Sequence, residues 1–461
     1  MRKLWKKAMA LGLAVAMTGL CACSGGGGAT QSASGTTAAQ PTEKTDAAQP
    51  AEKADSQEKI TLTVWQDYAT PEREEHLNKT VEAYMAEHPN IEVKVTALPN
   101  SGADKIDVAY SAGEGPDIFF SSGPRTSNYI SGNYIIPLDE YYDAWEDKDR
   151  ILEKSINDVR ENDITGEDKL YFLPLGTAFY VLWVRSDWLK EAGASVDTWE
   201  HLFEAVPKMT DKENGKYGIA IRGGKGGTSF LERMMYSYSG IDSVFDENGN
   251  CTINDPKHVE FVERYLGMYG VYTAEGDLNY DWTELSAAFD SGSAGIIIHN
   301  LGSGQNHVDA FEGDLTKFEA VPLPKNADGK IVTQLQQEAG LVISSTCKHP
   351  QEAFDLGTYL ATGDSVSGFC RLFGLVPVDS EVLESADWIQ ELPWYALAAK
   401  YMEDPDLNFY NYYPWLTGKD KIYTDIVPEM QQVMVGEKTA QEFLDDWAER
   451  FEKCYQDFYS K

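Results

Sequence analysis

The sequence carries none of the short motifs that announce a chemistry. It has no P-loop, no G-x-S-x-G elbow, no H-E-x-x-H helix and no EF-hand loop, so the reactions and ion sites built on those motifs lack their residues. Histidine is scarce, with seven in 461 residues and no two spaced i, i+4; no metal site and no cofactor are expected. Cations are also in short supply. Of 39 Lys/Arg and 74 Asp/Glu, seven and five precede Ile60, which leaves 32 against 69 and a formal charge of −37 on the remainder. A body so acidic argues against nucleic acid and anionic lipid as partners. Cys251, Cys347, Cys370 and Cys454 stand singly, with no C-x-x-C spacing, and read as buried free thiols rather than zinc ligands or a disulfide framework. After residue 20 no apolar run reaches membrane-spanning length.

The N-terminus is different. Arg2, Lys3, Lys6 and Lys7 precede an uncharged run from Ala8 to Leu20, the order of a secretory signal and shorter than the ~20 residues that span a bilayer. The run ends in Leu20-Cys21-Ala22-Cys23, which resembles a bacterial lipobox. Cys23 as the lipidated residue puts Leu20 at −3 and Ala22 at −1; Cys21 would put bulky Leu20 at −1. Residues 1–22 are therefore expected to be a signal peptide. Two acyl chains on Cys23 meet the requirement for stable anchoring. From Ser24 to Lys59 the chain has no aromatic and no large aliphatic residue, so 23–59 reads as a disordered tether.

The 402 residues from Ile60 suffice for two lobes. "ITLTVWQ" alternates as a strand, Thr70-Pro71 starts a helix, and "IEVKVTAL" is a second strand. "GPDIFF", "YVLWV", "GIIIHN" and "GLVISS" read as further strands between helical segments, which implies a mainly parallel α/β sheet in each lobe. Thr439 and Glu442 resemble a capping box before an amphipathic closing helix carrying Phe443, Trp447 and Phe451. "GGKGG" at 223–227 reads as a flexible loop. Aromatics are plentiful, with 11 Trp, 25 Tyr and 18 Phe. Trp183 and Trp447 fall inside elements and read as core. Trp65, Trp282 and the cluster Tyr410, Tyr412, Tyr413 and Trp415 fall near element ends, where flat rings among polar groups suit the C–H face of a sugar.

The collinear run "YMAEHPNIEVKV", "SAGEGPDIFF", "SGNYIIPLDEY", "YFLPLGTAFYVLWVRSDWLKEAG", "AAFDSGSAGIIIHN", "KHPQEAFDLGTYLATGD" and "GLVPV" resembles the family 1 extracellular solute-binding lipoproteins of bacterial ABC importers, in the carbohydrate branch similar to maltodextrin-binding protein. The resemblance implies an α/β, two-lobed periplasmic-binding-protein-like fold with a hinge and an interlobe cleft. One lobe would hold 60–175 and 300–375, the other 176–299 and 376–461. It implies capture of a sugar or oligosaccharide without catalysis, and delivery to permease subunits by a monomer anchored on the outer face of a Gram-positive-type cell membrane. A surface glycoside hydrolase and a binding protein for a non-sugar solute are the alternatives; among 74 acids no pair singles itself out.

Carried over residue by residue, the resemblance places ligand contacts on Trp65 and Asp67 after the first strand, on Ser121, Ser122 and Arg125 after "PDIFF", and on Thr177 and Phe179 at a crossover. The other lobe would give Ser229, Phe230 and Trp282. His299 and Asn300 stand where sugar binders of the family often show Gly-x-Trp, and that tryptophan is absent here. Gln337, Glu338 and Arg371 lie near crossovers, and Trp415 with Tyr423 where the family commonly supplies a stacking ring.

Overall fold

Thr70 starts the first helix as its sequence position demands. Its hydroxyl accepts the Arg73 N–H at 3.4 Å, and Pro71 opens the helix Pro71–Glu87, which buries Leu77, Val81 and Tyr84. The flanking strands β1 (Ile60–Gln66) and β2 (Ile91–Ala97) pair in parallel over all seven residues. The structure is a computed structural model and describes residues 59–98, 103–246, 248–334, 336–403, 407–410, 416 and 418–459.

Sheet pairing separates two lobes. β3 (Ile118–Ser121), β4 (Leu173–Ala178), β9 (Gln336–Ile343) and β10 (Val376–Pro377) join the first two strands in a sheet ordered β10-β4-β9-β3-β1-β2. β5 (Tyr180–Val184), β6 (Ile296–Asn300) and β7 (Glu319–Val321) form a second sheet ordered β6-β5-β7, and β8 (Ile331–Thr333) pairs in parallel with Leu407–Phe409 outside both. Only Phe179 separates β4 from β5, so the chain changes sheets within one residue. Sheet membership puts 319–321 with the second sheet and 376–377 with the first, inside segments expected on the other side of each boundary.

The expectation of mainly parallel sheets is corrected. β1 runs parallel to β2 and β3, but β9 is antiparallel to β3 and β4, β10 to β4, and both neighbours of β5 are antiparallel to it. A strand that enters from the other lobe arrives without the crossover helix that sets a parallel return.

The capping box forms: Thr439 N–H donates to Glu442 at 3.0 Å and Glu442 N–H to the Thr439 hydroxyl at 3.2 Å. The closing helix Ala440–Tyr459 buries Phe443, Leu444, Trp447 and Phe451. Cys251 and Cys370 are buried, and among the described residues no disulfide joins the four body cysteines. The "GGKGG" expectation is also corrected, because this loop is packed. Gly223 and Gly224 donate to the Asp277 and Tyr280 carbonyls at 2.9 Å, and a Cβ on Gly223 would stand 2.5 Å from the Asp277 oxygen. Glycine here permits close approach of backbone to backbone.

Candidate ligand-binding cleft

The carboxyl ends of the parallel strands β1 and β3 lie side by side, which is where open α/β sheets gather ligand contacts. Asp67 follows β1, and Ser122 stands at the N-cap position of the helix Gly123–Ser131 that carries Arg125. The Arg125 guanidinium reaches the Asp67 carboxylate at 3.0 Å. Burial nonetheless pushes Asp67 up to about 6, with Arg125 opposing. Tyr68 comes next, with a left-handed φ of 49° and 50% exposure. Such a backbone in a non-glycine residue stores strain, and it turns the ring outward at the strand end.

The second lobe answers with an aromatic group. Asp281 and Glu284 form a capping box that fixes Trp282 at the start of the helix Trp282–Asp290. Its ring lies 3.4 Å, centroid to centroid, from His299 at the end of β6 and 6.0 Å from Phe230. Burial, with His307 adding to it, pushes His299 down to about 3, so the imidazole is neutral. Nε2 sits 3.4 Å from the Trp282 carbonyl, and buried Nδ1 has no partner. Asn300 spends its side-chain oxygen on the Gly302 N–H at 3.0 Å.

These pieces face elements of the first lobe across a cleft of about 420 Å³, whose walls include Trp282, His299 and Asn300 on one side and Arg73, Arg371 and Phe373 on the other. Arg371 is in the last turn of the helix Gly363–Phe373. Arg73 lies 3.6 Å above the Phe373 ring and donates to the Leu372 and Tyr68 carbonyls at 3.0 and 2.9 Å. At the edge of the cleft the lobes meet at Gly302 and Gly374. Gly374 has φ 71°, and a Cβ there would lie 2.4 Å from the Gly302 Cα.

Residues 68–365 match the family described as bacterial extracellular solute-binding protein. The chain belongs to that family. The maltotriose-binding protein of Pyrococcus abyssi is 27% identical over 57% of this chain and 53% of its own length. The maltodextrin-binding protein MdxE of Bacillus subtilis is 23% identical, covering 67% of this chain and 68% of itself. The chain spans about half the length of the first curated relatives it matches. A Thermotoga lettingae solute-binding protein crystallised with α-D-tagatose superposes with a TM-score of 0.69 at 20% identity, covering 86% of this chain and 99% of its own. That likeness gives this solute-binding protein its two-lobed fold.

The residues expected to line the cleft fall into groups. Trp282, His299, Asn300 and Arg371 come together on it. Asp67, Ser121, Ser122 and Arg125 gather at the ends of β1 and β3. Trp65 lies within β1, opposite Thr96 and Phe119, and not after the strand. Thr177 is fully buried in β4. Phe179 is buried and stacks on Tyr401 at 6.4 Å. Phe230 is buried beneath Trp282, and the Ser229 hydroxyl bonds to the Gly226 carbonyl at 2.9 Å.

Tyr423 is placed away from the cleft. It is buried on the helix Lys419–Asp425, edge-on to Trp447 and Phe451, and its hydroxyl donates to Glu232. An amphipathic face seated on the closing helix explains that position better than a loop platform. Trp415 lies outside the described residues, as do the side chains of Gln337 and Glu338. Arg73, Tyr68 and Arg222 were not expected at the site. Tyr68 left the signal of a ring just past a strand end, whereas Arg73, in the first turn of the next helix, and Arg222, in a segment without a strand, left none.

Proposed function

We propose that this solute-binding protein captures a sugar or oligosaccharide between its lobes and hands it to an ABC permease, as a monomer held at the outer face of the membrane by lipid on Cys23. The observation that carries this reading is the half-buried Trp282 ring on the cleft wall, set among Asn300, Asn306, Arg73 and Arg371. The C–H face of a sugar suits such a ring while its hydroxyls suit the polar groups around it. Maltotriose, maltodextrin and tagatose are the solutes named for the proteins it resembles.

Binding proceeds without turnover. Asp290, the one carboxylate among the described cleft-lining residues, accepts from the Ser286 hydroxyl and pairs with buried His307, so the cleft wall offers no second acid to share glycoside cleavage. Among the described residues no helix is long and apolar enough to cross a membrane.

A melting-curve screen over mono- and oligosaccharides tests the reading, since a ligand that binds only the folded state stabilises it by RT ln(1 + [L]/Kd). A sugar that raises the midpoint and is recovered intact by chromatography is the expected result. Cleavage products, or no shift across the panel, overturn it. Cys23→Ala is expected to release the protein from membranes while Cys21→Ala leaves it attached; equal behaviour refutes the anchor.

A further inference from the structure

The charge pattern of the cleft runs against the rest of the molecule. In a chain with 74 acids, Arg125, Arg150, Arg160, Arg185, Arg264 and Arg450 each have a carboxylate within ion-pair distance. Among the described residues, Arg73, Arg222 and Arg371 have none. Two of the three line the interlobe cleft. The third, Arg222, lies behind the cleft's aromatic wall, with its guanidinium carbon 4.7 Å from the Phe230 centroid and 5.6 Å from that of Trp282. Buried Arg222 Nε has no acceptor. Arg233 adds like charge, since its guanidinium is 5.7 Å from the same Phe230 ring.

Arg371 is exposed and Arg73 half-buried, so neither needs an ion pair to be stable; what sets the cleft apart is that its described lining carries two arginines against one carboxylate in a chain where acids outnumber cations. Arg73 spends three of its five N–H groups on the Leu372 and Tyr68 carbonyls, which leaves two for a ligand, and a guanidinium suits a carboxylate better than a hydroxyl. Asp290, the one carboxylate among the described lining residues, accepts from Ser286 and pairs with His307.

We infer that the solute is an acidic saccharide, a sugar chain bearing a uronate carboxylate that Arg371 and Arg73 bind at the first-lobe wall while its ring lies on Trp282. Arg222 beneath that ring adds positive potential. This rests on the saccharide reading above and narrows it to one charge class.

Calorimetric titration of the intact protein with trigalacturonate and an aldotetraouronic acid, against their carboxyl-reduced counterparts and hexose 6-phosphate, decides it. At least one uronate is expected to bind tenfold or more tightly than its reduced form, and to weaken several-fold between 50 and 300 mM salt. Arg371→Gln, at an exposed position that leaves the fold intact, is expected to cost that uronate tenfold or more. Arg222→Gln is expected to cost it several-fold, with the melting curve as a check on folding. If the reduced oligomers bind as well as the acids, the charge inference fails and the saccharide reading stands. Binding of hexose 6-phosphate alone overturns the uronate assignment, and no binding across this panel and the neutral one overturns both readings.

Discussion

Replacing Asp277 by asparagine should stabilise the protein, and by an amount that depends on pH. Asp277 is fully buried in the turn 275–279. One oxygen accepts the Ile221 N–H at 2.6 Å, one residue before Arg222, and the other has no partner. Burial raises its pKa from 3.8 to about 7, and the Ile221 bond opposes that shift. A raised carboxyl pKa means the folded state keeps a proton that the unfolded chain has lost. The contribution is therefore fully present below about pH 4, is lost as pH rises towards 7, and stays lost above it. About three pH units at 1.36 kcal/mol each give on the order of 4 kcal/mol. Asparagine keeps the acceptor for Ile221 and cannot ionise. Urea unfolding followed by tryptophan fluorescence at pH 4, 6 and 8 is the assay. The two proteins should be nearly equal at pH 4, with the variant ahead by a few kcal/mol at pH 8. A pH-independent difference, or a variant less stable at pH 8, would refute the reasoning.

Two tryptophans should separate cleanly. Trp183→Ala, fully buried in β5, is expected to lose ~3–5 kcal/mol of stability; Trp282→Ala, half-buried on the cleft, is expected to lose tenfold or more in sugar affinity by calorimetry with a much smaller fall in melting point. Tyr423→Phe removes the hydroxyl that donates to Glu232 and is expected to cost ~1–3 kcal/mol while sparing affinity, the reverse of what a stacking platform would give. Gly374→Ala adds a left-handed backbone cost of ~1–2 kcal/mol to a clash with Gly302, so its melting point is expected to fall further than that of Gly302→Ala, whose Cβ would meet nothing closer than 3.2 Å.

Local rules read well from the sequence. The first strand, its Thr70-capped helix, the second strand and the Thr439–Glu442 box all depend on neighbours within a few residues, and each formed where its spacing put it. Strand direction did not read, because β9 and β10 acquire their antiparallel sense from partners more than a hundred residues away. The site divides along the same line. Trp282, His299 and Arg371, named from the ordered resemblance, stand together on the cleft wall, whereas Arg73 and Arg222 acquire their surroundings only because the fold brings Leu372, Phe373, Phe230 and Trp282 to them. Tyr423 packs on the closing helix, and an aromatic near a helix start looks alike in sequence whether it faces a cleft or such a helix.

The contact between Gly302 and Gly374 sets how such a protein can change over evolutionary time. The rings and guanidiniums around the cleft can be exchanged one at a time, so preference among solutes can drift by point substitution. The seam offers less freedom, since a methyl group on Gly374 would overlap the Gly302 main chain and one on Gly302 would need its neighbours to give by a few tenths of an ångström. A lineage that adopts a bulkier solute at this edge must insert or delete residues in the turns after β6 or before β10. Length differences between relatives are therefore expected to concentrate at these two turns, with substitutions concentrated elsewhere.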